Sequence, residues 1–119
     1  KSMRNDKSNP IVDLTLEFAI EIVAFAEILE EDKHYVIAKQ LLKSGTSIGA
    51  NVREAQNAES KTDFIHKLKI AIKEADETEY WLIICRLSKN YPNPEILEEK
   101  LMSIIKMLSK IISTSKQSK

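Results

Sequence analysis

One cysteine, two glycines and three prolines are all that 119 residues contain, and aromatic side chains make up only 6%. A lone thiol, Cys85, has no intramolecular partner, which excludes a disulfide-stapled secreted scaffold. So little glycine and proline excludes collagen-like and low-complexity chains and favours helix over turn-rich β folds. Net charge is missing too: 18 Lys plus Arg balance 18 Asp plus Glu. No global positive field draws in nucleic acid, so such a partner needs a local patch. No apolar run approaches the ~18 to 20 residues that cross a bilayer, and no cationic, apolar leader opens the sequence. The expectation is a cytoplasmic protein without a membrane partner. What is present, 43% hydrophobic and 30% charged residues, is enough for one globular domain.

Apolar residues recur at helical spacing in four segments. The first helix is expected over 10–30, after an extended or disordered segment 1–9, with Ser8 or Asn9 as cap and Pro10 in the first turn. Ile11, Leu14, Phe18, Ile22, Phe25 and Leu29 form its core stripe. Val12, Leu16, Ala19 or Ile20, Val23 and Ala26 widen that stripe beyond what one partner helix needs. A second helix is expected over 34–57, with Tyr35, Ala38, Leu42, Gly45, Gly49 and Val52 in line and Leu41, Ile48 and Ala55 alongside. Phe64, Leu68, Ala71, Ala75, Thr78, Leu82 and Cys85 form an unbroken heptad seam in a third, 61–89. Asn90 to Pro94 must break it, and Leu97, Leu101, Ile104, Leu108 and Ile111 mark a fourth over 94–113, before a frayed tail at 114–119. Short links between four amphipathic helices argue for an all-α, up-down-up-down antiparallel four-helix bundle.

Both glycines lie inside the second helix, where each costs roughly 0.5 to 1 kcal/mol relative to alanine. Either another helix packs closely against Gly45 and Gly49, or the helix breaks near Gly45. Gly45-Thr46-Ser47-Ile48-Gly49 lacks the ending and the preceding strand of a phosphate loop. His34 and His66 join no cysteine or carboxylate at metal-ligand spacing, so neither a metal nor another cofactor is expected. Ser47, Asn51 and Glu54, with Glu74, Thr78 and Glu79, fall near the seams of helices two and three and are expected to cross-link them. A carboxylate–metal enzyme using Glu54, Glu74 or Glu79 is the catalytic alternative. After Glu99 every charge is positive: Lys100, Lys106, Lys110, Lys116 and Lys119. These lysines either complement the helix dipole or form candidate phosphate contacts.

Ser44 to Ala55 (SGTSIGANVREA), followed by Asp63 to Ala71 (DFIHKLKIA) and Glu74 to Leu82 (EADETEYWL), resembles a bacterial four-helix bundle family. That family was first noticed in intervening sequences of 23S rRNA genes and is also called the S23 ribosomal protein family. Its most specific element here is Ser47-x-x-x-Asn51-x-x-Glu54, with Glu79 behind it. The fold is also similar to the accessory variability protein of diversity-generating retroelements, a basic pentamer that binds a reverse transcriptase and nucleic acid. The resemblance implies a ring-shaped homopentamer with no catalytic residues and no small-molecule substrate. It implies a binding or scaffolding role, with RNA, a ribonucleoprotein or a reverse transcriptase as partner. A protein-only adaptor is the alternative.

Overall fold

Four stripes of apolar side chains at helical spacing each require a neighbour to cover them, and the chain provides one by folding back three times. A computed structural model describes residues 9–118. Within them lie four helices and no strand: α1 (Pro10–Glu31), α2 (Tyr35–Ala55), α3 (Lys61–Leu87) and α4 (Glu95–Gln117). The expectations for residues 1–8, including a cap from Ser8, and for Lys119 fall outside the described residues.

Each end has a local cause. Pro10 occupies the first turn of α1, where its missing N–H is no loss. Asn9 does not cap; its Nδ2 donates to Gln56 Oε1 at 3.0 Å, tying the start of α1 to the end of α2. Ser60 Oγ accepts from the Asp63 N–H at 3.0 Å, which starts α3, and Asn93 Oδ1 accepts from the Glu95 N–H at 2.9 Å, which starts α4. The expected frayed tail from residue 114 is instead helical to Gln117. No glycine or proline follows Pro94, Lys116 suits the negative helix end, and Lys61 Nζ donates to the Ser118 carbonyl.

α1 ends in a Schellman motif without glycine. The His34 N–H reaches the Leu29 carbonyl (2.8 Å) and the Lys33 N–H the Glu30 carbonyl (2.9 Å). Lys33 therefore sits at φ 67°, a left-handed conformation that a side chain disfavours by about 1 kcal/mol. Lys33→Gly is expected to raise stability by roughly 0.5 to 1 kcal/mol, read as a higher urea midpoint at unchanged slope.

Antiparallel pairing follows from cross-links between successive helices: Ser44 with Thr78 and Glu54 with Lys67 join α2 to α3, and Arg86 with Glu98 joins α3 to α4. Glu21 with Lys100 closes the square between α1 and α4, the thinnest of the four seams. Phe18, Ile22, Leu29, Leu41, Ile48, Leu68, Leu82, Leu101, Ile104 and Leu108 fill the centre.

The α2 stripe is phased differently from the expectation. Tyr35 and Leu42 face solvent, while Ala38, Leu41, Gly45, Ile48, Val52 and Ala55 are buried. Both sets fit a heptad through Ala38, Gly45 and Val52, and burial selects the one with the larger side chains, Leu41 and Ile48. In α4, Ile112 rather than Ile111 completes the stripe. α2 runs unbroken through both glycines, which removes the break near Gly45.

Candidate functional site

Two features face outward from this core: an apolar surface on α1 with the adjoining α1–α2 groove, and polar groups along α2, α3 and α4. The first originates at the glycines. A Cβ on Gly45 would stand 2.8 and 2.9 Å from Ile22 Cγ2 and Cγ1, closer than carbons pack. A Cβ on Gly49 would meet the Thr15 carbonyl oxygen at 3.2 Å. Thr15 is itself buried, and its hydroxyl donates to the Ile11 carbonyl at 2.8 Å, so it brings no unpaired polar group to the contact. α1 thus lies almost on the α2 backbone at two levels, as the close-approach reading of Gly45 and Gly49 requires.

Beside that contact a groove of about 170 Å³ opens between Val12, Leu16 and Ala19 of α1 and Gly49, Ala50 and Arg53 of α2. The second apolar set of α1 continues from it onto the surface. Leu16 is 56%, Ile20 61% and Val23 40% exposed. One turn of helix separates neighbours in this set, so they form a continuous strip.

Among the polar residues expected to cross-link α2 and α3, Thr78 and Glu54 do so, and Ser47 and Asn51 do not. Ser47 Oγ donates to the Lys43 carbonyl (2.7 Å) and Asn51 Nδ2 to the Ser47 carbonyl (2.9 Å), both within α2. The buried bridge is a hydrogen bond between the Ser44 and Thr78 hydroxyls at 2.9 Å. Glu54 does reach α3, accepting from Lys67 Nζ at 3.0 Å; that hydrogen bond, with the carboxylate charge, raises the Lys67 ammonium above its usual range. The pair is exposed and contributes little to stability. Glu79 lies twelve residues along α3 from Lys67, about 18 Å at 1.5 Å per residue, so Glu54 and Glu79 do not share a site. Glu74 contributes its backbone carbonyl to Thr78 Oγ1 (2.7 Å). Among the described residues no three His, Cys, Asp or Glu side chains are grouped to hold a metal.

The lysines of α4 part company. Lys100 is bound to Glu21 of α1 at 2.5 Å. Lys106 and Lys110 are exposed, and Lys116 lies against Lys69 of α3. Spacings of six, four and six residues on a 3.6-residue turn leave only Lys106 and Lys110 on one face.

Cys85 is 1% exposed, and burial, aided by the Glu98 charge, pushes its thiol from 9.0 up to about 11. The folded chain holds this proton where the unfolded chain releases it. Its contribution is therefore complete below pH 9 and is lost as pH rises toward 11. Urea denaturation should show a decline over that window that is shallower in Cys85→Ala, and the native thiol should resist alkylation near neutral pH.

Residues 7–113 match the model of the 23S rRNA-intervening sequence protein family. The chain belongs to this family. A crystallised member of the S23 ribosomal protein family from Bacteroides thetaiotaomicron VPI-5482, itself of unknown function, is 46% identical and superposes with a TM-score of 0.81. The match covers 86% of this chain and 97% of that one. No curated protein matches. Membership in the 23S rRNA-intervening sequence protein family fixes the helical fold and leaves the role of the fold open. Among the described residues no helix is long and apolar enough to cross a membrane.

Sequence reasoning passed over Ser44 and Arg53, and read Lys67 and Lys69 as lysines beside His66 on a solvated face, with a phosphate contact as the alternative. Ser44 adjoins the Leu41–Gly45–Ile48 stripe, a signal that the correct α2 phase would have given. The others are surface cations whose importance depends on what a neighbouring helix brings near.

Proposed function

We propose that the chain is a non-catalytic, cytoplasmic binding or scaffolding protein that self-associates through the α1 strip and the α1–α2 groove. The form suggested by its family resemblance is a ring-shaped homopentamer. The observation that carries this reading is the strip of Leu16, Ile20 and Val23 beside an open apolar groove, on a chain with 30% charged residues. Covering those three side chains contributes roughly 3 kcal/mol on each subunit. Contiguous apolar surface of this kind marks an interface more often than a solvated face. Arg53 at the groove supplies a polar edge for orienting the partner.

RNA or a nucleic-acid-processing protein is the proposed cargo, supported by the wholly positive charge after Glu99. Repetition around a symmetry axis turns a modest patch into a strong local field. Light scattering on the pure protein, alone and with a pool of short RNAs at two salt concentrations, tests both parts. A monomer at micromolar concentration removes the assembly. An oligomer that gains mass with RNA only at low salt supports the cargo, because phosphate contacts weaken steeply with salt. An oligomer indifferent to RNA leaves the protein-only adaptor.

A further inference from the structure

A second groove, of about 380 Å³, lies between α3 and α4, away from the α1 strip. Ile72 and Ile112 contribute its apolar lining, and Lys69, Ser109, Ser113 and Lys116 its polar groups. Two positive charges meet here without an acid between them. Lys67, Arg86 and Lys100 each pair with a carboxylate, whereas neither Lys69 nor Lys116 does among the described residues. Contact with the Lys116 ammonium, and its charge, hold Lys69 below the usual lysine range. Like charges brought together in this way destabilise a fold unless something of opposite sign joins them.

The hydroxyls repeat the pattern. Thr15, Thr46, Ser47, Thr78 and Ser103 all donate to carbonyls four residues back in their own helices. Ser109 and Ser113, one turn apart at the groove, make no such bond. Two ammonium groups and two hydroxyls thus present donors from two helices to one volume. A carboxylate offers acceptor sites enough but only a single charge against two ammonium groups, and chloride has no directional acceptors. A tetrahedral oxyanion has both the charge and the acceptor geometry.

We propose that the α3–α4 groove binds a dianionic phosphate group, inorganic or as a terminal monoester, between Lys69 and Lys116, with Ser109 and Ser113 donating to its oxygens. Two ammonium charges match a dianion; a phosphodiester carries one charge and leaves one lysine unbalanced. The site stands independently of self-association through α1.

The test is a nuclear magnetic resonance titration of the full chain with inorganic phosphate, methyl phosphate and dimethyl phosphate, at a pH above the second pKa of both the monoester, about 6, and the free ion, which lies higher. Inorganic phosphate is expected to shift the Lys69 and Lys116 ammonium signals and the Ser109 and Ser113 amides saturably. Lys69→Gln and Lys116→Gln should each weaken binding about tenfold, the loss of one charge-assisted hydrogen bond. Lys110→Gln should leave binding unchanged. Methyl phosphate binding as tightly as the free ion identifies a phosphorylated molecule as the ligand source, and its exclusion identifies the free ion; both support the site. Dimethyl phosphate binding as tightly as phosphate overturns the dianion assignment. Shifts spread evenly over all lysines, or unweakened binding in both glutamine variants, overturn the site. Because both lysines are exposed and of like charge, neither variant should lower the melting temperature, and phosphate should raise it most in the unsubstituted protein.

Discussion

Replacing Gly45 by leucine is expected to lower the melting temperature by roughly 10 °C, about 3 kcal/mol of overpacking at the few degrees per kcal/mol usual for a chain of this size. The cause is local. Even a bare Cβ there would sit 2.8 Å from Ile22 Cγ2, and Ile22 is fully buried. Those atoms are next to the Ile22 Cβ, so they cannot swing away as the tip of a long side chain would. Gly45→Ala gains about 1 kcal/mol of helix propensity but meets the same atoms, so its net effect should be a smaller loss. Gly49 provides the contrast. Its nearest obstacle is the Thr15 carbonyl at 3.2 Å, a contact relieved by a few tenths of an ångström, and Gly49→Ala should fall near neutrality. Circular-dichroism melts of the three variants read the series directly. Equal melting temperatures for Gly45→Leu and the unsubstituted protein would mean that α1 does not lie against α2 at this level. Ile22→Val removes only Cδ1 and keeps both clashing Cγ atoms, so adding it to Gly45→Ala should recover little of the loss.

The second large effect concerns the α1 strip. Leu16→Glu together with Ile20→Glu is expected to convert the proposed assembly to a monomer while leaving the helical spectrum intact. Both side chains are more than half exposed, so the bundle loses little packing. At a covered interface, by contrast, each glutamate must be desolvated beside its copies on other subunits, a cost that association cannot absorb. Mass by light scattering is the readout. An unchanged oligomer would place the subunit contact elsewhere, and a collapsed spectrum would show that the strip serves the monomer's own core.

That the chain forms four helices was legible because apolar residues at three- and four-residue steps have few other ways to be buried together. The α3 seam from Phe64 to Cys85 is the clearest case, since only one heptad phase fits it. α2 shows where such reading fails. Ala38, Gly45 and Val52 belong to two phases at once, and spacing cannot tell whether Leu41 and Ile48 or Leu42 and Gly49 complete them. Side-chain volume decides, through contact with α1 and α3. Lys33 shows another limit: the end of α1 near residue 30 is legible where the apolar pattern stops, but a lysine gives no compositional sign of the left-handed turn that closes it. Of the candidate site, the close approach at Gly45 and Gly49 followed from the cost of glycine within a helix. The polar partnerships were legible only in part: Glu54 and Thr78 cross the α2–α3 seam as expected, and Ser47 and Asn51 do not. Whether Ser47 bonds its own backbone or another helix depends on rotation about α2, which the misplaced phase obscured. Lys69 meets Lys116 only because α3 and α4 lie antiparallel in one register.

The thin α1–α4 seam bears on how the molecule is made. Its Glu21–Lys100 contact spans 79 residues, whereas α1 with α2, α2 with α3 and α3 with α4 all join consecutive elements. Loop closure for such hairpins is local, so folding can keep pace with synthesis. A nascent chain can cover the Leu41 and Ile48 side of α2 as soon as α3 emerges, before α4 has been translated. The last helix then docks on a surface already formed by its predecessors. Vectorial synthesis thus leaves few occasions for apolar helix faces to find partners on the wrong chain.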